Sequence, residues 1–160
     1  MSKFIPKRII IHCTASTFGD VAEITKWHKK RGFSNIGYHY LIVNGKRTKR
    51  SKYSANSDGD IETGRSMFIQ GAHSKGQNHD SIGICLVGLN KFTKAQFDSL
   101  RALVIGLQET YNIPDSKVYP HNKFNKLKTC PNFDVREVLG LKSEVTMKQV
   151  NKAIETLSLW

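Results

Sequence analysis

The 160-residue sequence is short of cysteine, of acidic residues and of long apolar runs, and each shortage removes a class of protein. Its three cysteines, Cys13, Cys85 and Cys130, are odd in number and form no CxxC pair. That is neither a secreted disulfide framework nor a zinc ribbon or finger. No stretch approaches the ~18 apolar residues of a membrane span. The opening "MSKFIPKRIII" also lacks the apolar core of a signal peptide, so the expected setting is a reducing cytoplasm. No GxGxxG follows the first apolar run, which argues against a dinucleotide-binding fold. Without repeats or a linker, residues 1–160 read as a single domain, long enough to bury a core unaided.

What is plentiful is positive charge: 25 Lys and Arg against 13 Asp and Glu, formally +12. Such a surface suits a polyanion, either nucleic acid or an anionic cell envelope. No aromatic-rich RNA-binding motif or basic recognition helix accompanies the charge, so no specific nucleic-acid partner is expected. Lys46, Arg47, Lys49, Arg50 and Lys52 crowd into one segment. Residues 46–63 have no apolar period and read as an exposed loop or a loosely paired hairpin. The crowded cations either serve solubility or keep the segment mobile until an anionic partner meets it.

The remaining pattern predicts an α/β fold. "RIIIHC" (8–13) and "SIGICLVG" (81–88) are β-branched or apolar runs that read as buried strands. "IGYHYLIVNGK" (36–46) reads as another strand ending at an Asn-Gly turn, and "KVYPHNKF" (117–124) as a strand leading into a long loop. Asp20 and Glu23 form a capping-box pattern that opens a helix over 21–31, stopped at Gly32. Thr93 and Gln96, flanked by Phe92 and Phe97, open a second helix reaching Tyr111. "FDVREV" and "VTMKQV" repeat the pattern, the latter predicting a C-terminal helix over 145–160. The order implies a mixed central β-sheet flanked by helices.

Three residues at the ends of these segments suit metal chemistry. His12 ends the first strand, His121 follows "KVYP", and Cys130 comes nine residues later. Two imidazoles and a thiolate match a catalytic zinc site, which uses three protein ligands and leaves a position for water. The same residues also admit plainer readings: a structural histidine, a buried thiol, or a Cys130 nucleophile paired with His121. Lys128 lies two residues from Cys130, where it either steadies an oxyanion or is solvated. Tyr38 either orients a water or packs in the core with a polar tip. Cys13 and Cys85, inside apolar strands, read as buried thiols. His28 and His79 read as packing or surface histidines.

"IIIHCTAS", "WHKKRGFSNIGYHYLI", "GAHSKGQNHDSIGICLVG", "FTKAQFDSLRALV" and "KTCPNFD" together resemble the zinc-dependent N-acetylmuramoyl-L-alanine amidases, in particular those of T-seven-type bacteriophages. The resemblance runs over about residues 8–139 in five ordered blocks. It implies the fold shared with peptidoglycan recognition proteins, one zinc per chain on His12, His121 and Cys130, and catalytic roles for Tyr38 and Lys128. It implies a phage endolysin that cleaves peptidoglycan between N-acetylmuramic acid and L-alanine and lyses the host. Such a monomer would wait in the host cytoplasm until another protein permeabilises the membrane. His73 and Asn78 resemble groups that line the substrate groove, with loop-capping hydrogen bonds as the plainer reading. The basic segment 46–57 has no counterpart in the short turn of the relatives and reads as an insertion. The same branch implies an alternative, a regulator that binds and inhibits a phage RNA polymerase.

Overall fold

The computed structural model describes residues 3–141, so the expected helix over 145–160 lies outside the described residues. Among the described residues five strands form one sheet: β1 (Arg8–Cys13), β2 (Tyr40–Ile42), β3 (Ile61–Thr63), β4 (Ser81–Leu86) and β5 (Val118–Pro120). Their order is β3-β2-β4-β1-β5. β1 runs parallel to both β4 and β5, β2 runs parallel to β4, and only β3 is antiparallel to its neighbour. The sheet is therefore mixed, as the alternation of strand and helix patterns implies.

Side-chain alternation along the strands divides the core into two layers. Ile9 and Ile11 of β1 and Ile82, Ile84 and Leu86 of β4 point to one face. They pack there on Leu100, Val104 and Leu107 of α2 (Lys94–Tyr111) and Val135 of α3 (Val135–Leu139). On the other face Leu41, Val43, Cys85 and Val87 pack on Ile24 of α1 (Val21–Lys30). Each of these buried aliphatic side chains contributes about 1.5–3 kcal/mol. The even-numbered positions of β1 take the α1 face, which puts His12 there.

Helix signals in the sequence are realised at their capping residues. Asp20 accepts the Glu23 N–H at 2.9 Å to open α1. Thr93 and Gln96 cap each other reciprocally at 3.0 Å. The Gln96 amide then donates to the carbonyls of Ile42 and Val87, so the cap also fastens α2 to the ends of β2 and β4. Asp134 accepts from Arg136 and Glu137 to start α3.

One expectation needs correction, and of the two readings of 46–63 the hairpin is the one that forms. The second strand spans three residues, not eleven, because the backbone on either side pairs outside the regular ladder. Gly37 O accepts from Ala72 N, Tyr38 O accepts from Arg65 N, and Gly59 N donates to Val43 O. Tyr38 therefore precedes β2 instead of lying on it. The segment 46–63 is a hairpin return closed by β3, and its cations are not all free. Arg47 contacts Glu62 at 2.5 Å, Asp20 at 3.6 Å and Asp60 at 3.7 Å, and Glu62 also accepts the first N–H of α1. Charges distant in sequence pin Arg47, whereas Lys49, Arg50 and Lys52 remain exposed.

Candidate active site

β1 and β5 are neighbours and parallel, with Ile11 paired to Pro120. That register brings His12, the next residue of β1, beside His121, which opens a short 3-10 turn (His121–Lys123) after β5. Their rings lie 4.3 Å apart, centre to centre. The loop after this turn returns to the same place, since Asn122 N donates to Cys130 O at 3.0 Å. Ligand atoms of His12, His121 and Cys130 consequently lie within 4.8 Å of one another.

This donor set fits a zinc ion. Two imidazoles and one thiolate are borderline-soft ligands, and three of them leave a coordination position open. Burial first, then the neighbouring His73 and His121, hold His12 well below its ordinary pKa of 6.5. Burial and the Lys128 cation lower His121 as well. Both rings are therefore neutral near pH 7, the form that binds metals. Cys130 Sγ receives the Cys13 backbone N–H at 2.9 Å, a bond that favours a thiolate. Without a metal, the hydrogen bond with the Cys13 thiol and then burial push the Cys130 thiol up, whereas Cys13 falls to about 7. Cys130 would be held as the thiolate if a cation were coordinated there, because a coordinating thiol is deprotonated outright.

A cleft of about 480 Å³ opens over these three residues. Tyr38 and Lys128 both line it, Tyr38 with its ring 5.1 Å from that of His12. Burial, reinforced by the sulfurs of Cys85 and Cys130, pushes the Tyr38 phenol well above its ordinary value. At neutral pH the Tyr38 phenol is therefore protonated. Lys128 is exposed at the rim, on the same loop as Cys130.

His73 and Asn78 border the cleft too, but their polar atoms have partners inside the protein. Asn78 Oδ1 accepts the backbone N–H groups of His73 and Ser74, both at 2.9 Å, which is the loop-capping arrangement. His73 Nδ1 meets His12 Nε2 at 2.8 Å. Burial lowers the His73 pKa to about 3, so this ring is neutral.

Other cleft residues escaped the sequence reading. His28 is buried on α1, accepts the Gly37 N–H at 2.9 Å and lines the cleft. Its spacing of four from buried Ile24 was the available signal, since both then share one helix face. Arg31 and Lys75 join Lys128 as cleft cations, whereas among the described residues no carboxylate lines it. Cys13 proves to be more than a core thiol, because its backbone and side chain both meet Cys130. His79, by contrast, has a side chain that is 69% exposed and stands outside the site.

Comparison with known proteins gives this arrangement its family. The chain is 37% identical over 139 residues to the endolysin of Escherichia phage T7, covering 80% of this chain and 82% of that protein. Its structure resembles the N-acetylmuramoyl-L-alanine amidase LysC from Clostridium intestinale, with a TM-score of 0.71 at 30% identity over 89% of this chain and 92% of the other. The fold is also that of the Drosophila peptidoglycan recognition protein PGRP-LB, with a TM-score of 0.62 at 23% identity over 81% and 79% of the two chains. The family described as N-acetylmuramoyl-L-alanine amidase matches residues 2–133, and the chain belongs to it.

Proposed function

We propose that this amidase, of phage endolysin type, cleaves peptidoglycan with a zinc ion held by His12, His121 and Cys130. The observation that carries the proposal is the convergence of these three ligand groups within 4.8 Å at the floor of a cation-lined cleft. A zinc ion bound there would polarise the amide carbonyl between N-acetylmuramic acid and L-alanine and acidify a water for attack. Lys128, at the rim, balances the negative charge that develops on the carbonyl oxygen as water adds. Tyr38, kept protonated by burial, donates a hydrogen bond that orients the reacting groups. Arg31 and Lys75 give the cleft a positive lining suited to an anionic wall polymer.

A glycan-cleaving reading has less support. Most glycosidases need a pair of carboxylates flanking the bond, and no described residue supplies even one in the cleft. The alternative of a phage RNA polymerase inhibitor has no supporting observation among the described residues.

Digestion of purified sacculi tests the proposal. L-Alanine amino termini should appear in step with solubilisation, and a chelator should stop their release until zinc is returned. New reducing sugar ends, or full activity in chelator, would overturn it.

A further inference from the structure

The geometry points to His73 as a positioning residue, the middle of a buried relay that fixes which nitrogen of His12 faces the metal. The inference rests on the metal reading of His12.

The chain of donors has one consistent direction. Ser81 Oγ donates to Gln77 O at 2.6 Å, which uses its only proton. His73 Nε2 lies 3.3 Å from both Ser81 O and Ser81 Oγ. Facing two acceptors, Nε2 must carry the hydrogen of the neutral ring. His73 Nδ1 is then an acceptor, and at 2.8 Å it can only receive a proton from His12 Nε2. His12 is thereby held in the Nε2–H form, with its Nδ1 lone pair free for a metal. Ligating histidines generally pass their second N–H to a carboxylate, a carbonyl or water. Here another histidine takes it and hands it on to a backbone carbonyl.

Several independent features hold the relay in place. A Cβ on Gly83 would stand 2.6 Å from the His73 ring, and one on Gly71 would stand 2.7 Å from it. Only glycine at these two positions leaves the slot that the ring occupies. Asn78 grips the His73 backbone N–H, and Arg8 fastens Gln77 through both its side chain and its carbonyl, at 2.6 and 3.1 Å. Arg8 also pairs with Asp80. The start of β1 thus anchors the loop whose histidine supports the end of the same strand.

The test reads tautomer and metal affinity, not turnover alone. In the metal-free parent, long-range proton–nitrogen NMR correlations should show His12 as the Nε2–H form. His73→Phe should leave His12 a mixture of tautomers and weaken zinc binding by roughly 10–100-fold in chelator competition, the usual effect of losing such support. His73→Asn, whose amide oxygen can replace Nδ1 as acceptor, should recover most of that affinity. His12 as the Nδ1–H form in the parent would overturn the relay, as would a folded His73→Phe that binds zinc like the parent. If His73→Phe does not fold, the parent tautomer and the His73→Asn affinity still decide. A parent chain that binds no zinc yet keeps His12 in the Nε2–H form would break the metal reading and leave the relay standing.

Discussion

The two ends of this sheet handle charge and polarity in opposite ways. At the β1–β5 end, groups more than a hundred residues apart converge on a buried floor, as the Cys13 N–H to Cys130 Sγ bond illustrates. At the β2–β3 end, cations adjacent in sequence are spread over an exposed return, and among the described residues only Arg47 finds carboxylates. At the first end desolvation keeps the histidines neutral and strengthens each polar contact. The second remains solvated, where charges are screened and each pair is worth little. Charge density along the sequence is therefore a poor guide to where the chemistry lies.

The largest effects are expected at the buried end. Cys130→Ser should lose most bound zinc and all measurable hydrolysis, whereas Cys85→Ser, behind the sheet floor, should keep its metal. Cys13→Ser should also keep it, because the N–H given to Cys130 belongs to the backbone. Lys128→Ala should retain zinc and fold yet lose about 10²–10³-fold in kcat, the usual cost of removing an oxyanion donor. Metal analysis and kinetics on the four variants check this set. Parental kcat in Lys128→Ala would place Lys128 with Lys49 and Arg50 among the merely solvated cations.

An intermediate effect concerns pH. Burial lowers His28 to about 4 and His73 to about 3, against an ordinary value of 6.5. The folded state thus holds both rings neutral where the unfolded chain binds protons. Their contribution to stability is complete above pH 6.5 and declines as pH falls toward 4. Each histidine that stays neutral adds a slope of about 1.4 kcal/mol per pH unit in that window. Urea unfolding of the metal-free protein should show it, and a flat profile between these limits would mean that the rings are not desolvated.

The smallest effects belong to the β2–β3 return, and they should differ within it. Arg47→Gln removes a cation shared by three carboxylates and should cost about 1 kcal/mol in urea unfolding, with hydrolysis of a small muramoyl peptide unchanged. Replacing Lys49, Arg50 and Lys52 together with Gln should leave stability and small-substrate turnover alone. On intact sacculi the triple variant should bind a few-fold more weakly, with a flatter salt dependence. Identical behaviour of the two variants in both assays would erase the distinction between pinned and free cations.

Much of the architecture was legible because its signals are local. The apolar runs of β1 and β4, the caps at Asp20, Thr93 and Asp134 and the Asn44–Gly45 turn each depend on residues a few positions apart. Asn44 does accept the Lys46 N–H, and Gly45 takes a φ of +88°, as such a turn requires. Family membership was legible for a related reason, since ordered motif blocks survive in one dimension. The short strand β3 was not, because Ile61–Thr63 has too little apolar pattern and forms by pairing with β2.

The sequence alone therefore determined most of the elements, their order and the types of residue available for chemistry. Only the tertiary structure decided which of those residues meet. His12 and His121 become neighbours through the parallel register of β1 and β5, a long-range pairing that no local spacing encodes. Arg47 is pinned because β3 and the start of α1 deliver Glu62 and Asp20 to it. His73 borders the cleft and also meets His12, because two glycines distant from His12 in sequence clear its slot. Hydrogen bonds and ion pairs act over about 3–4 Å in space, while backbone propensities act over a few residues of chain, so the second could be read in advance and the first could not.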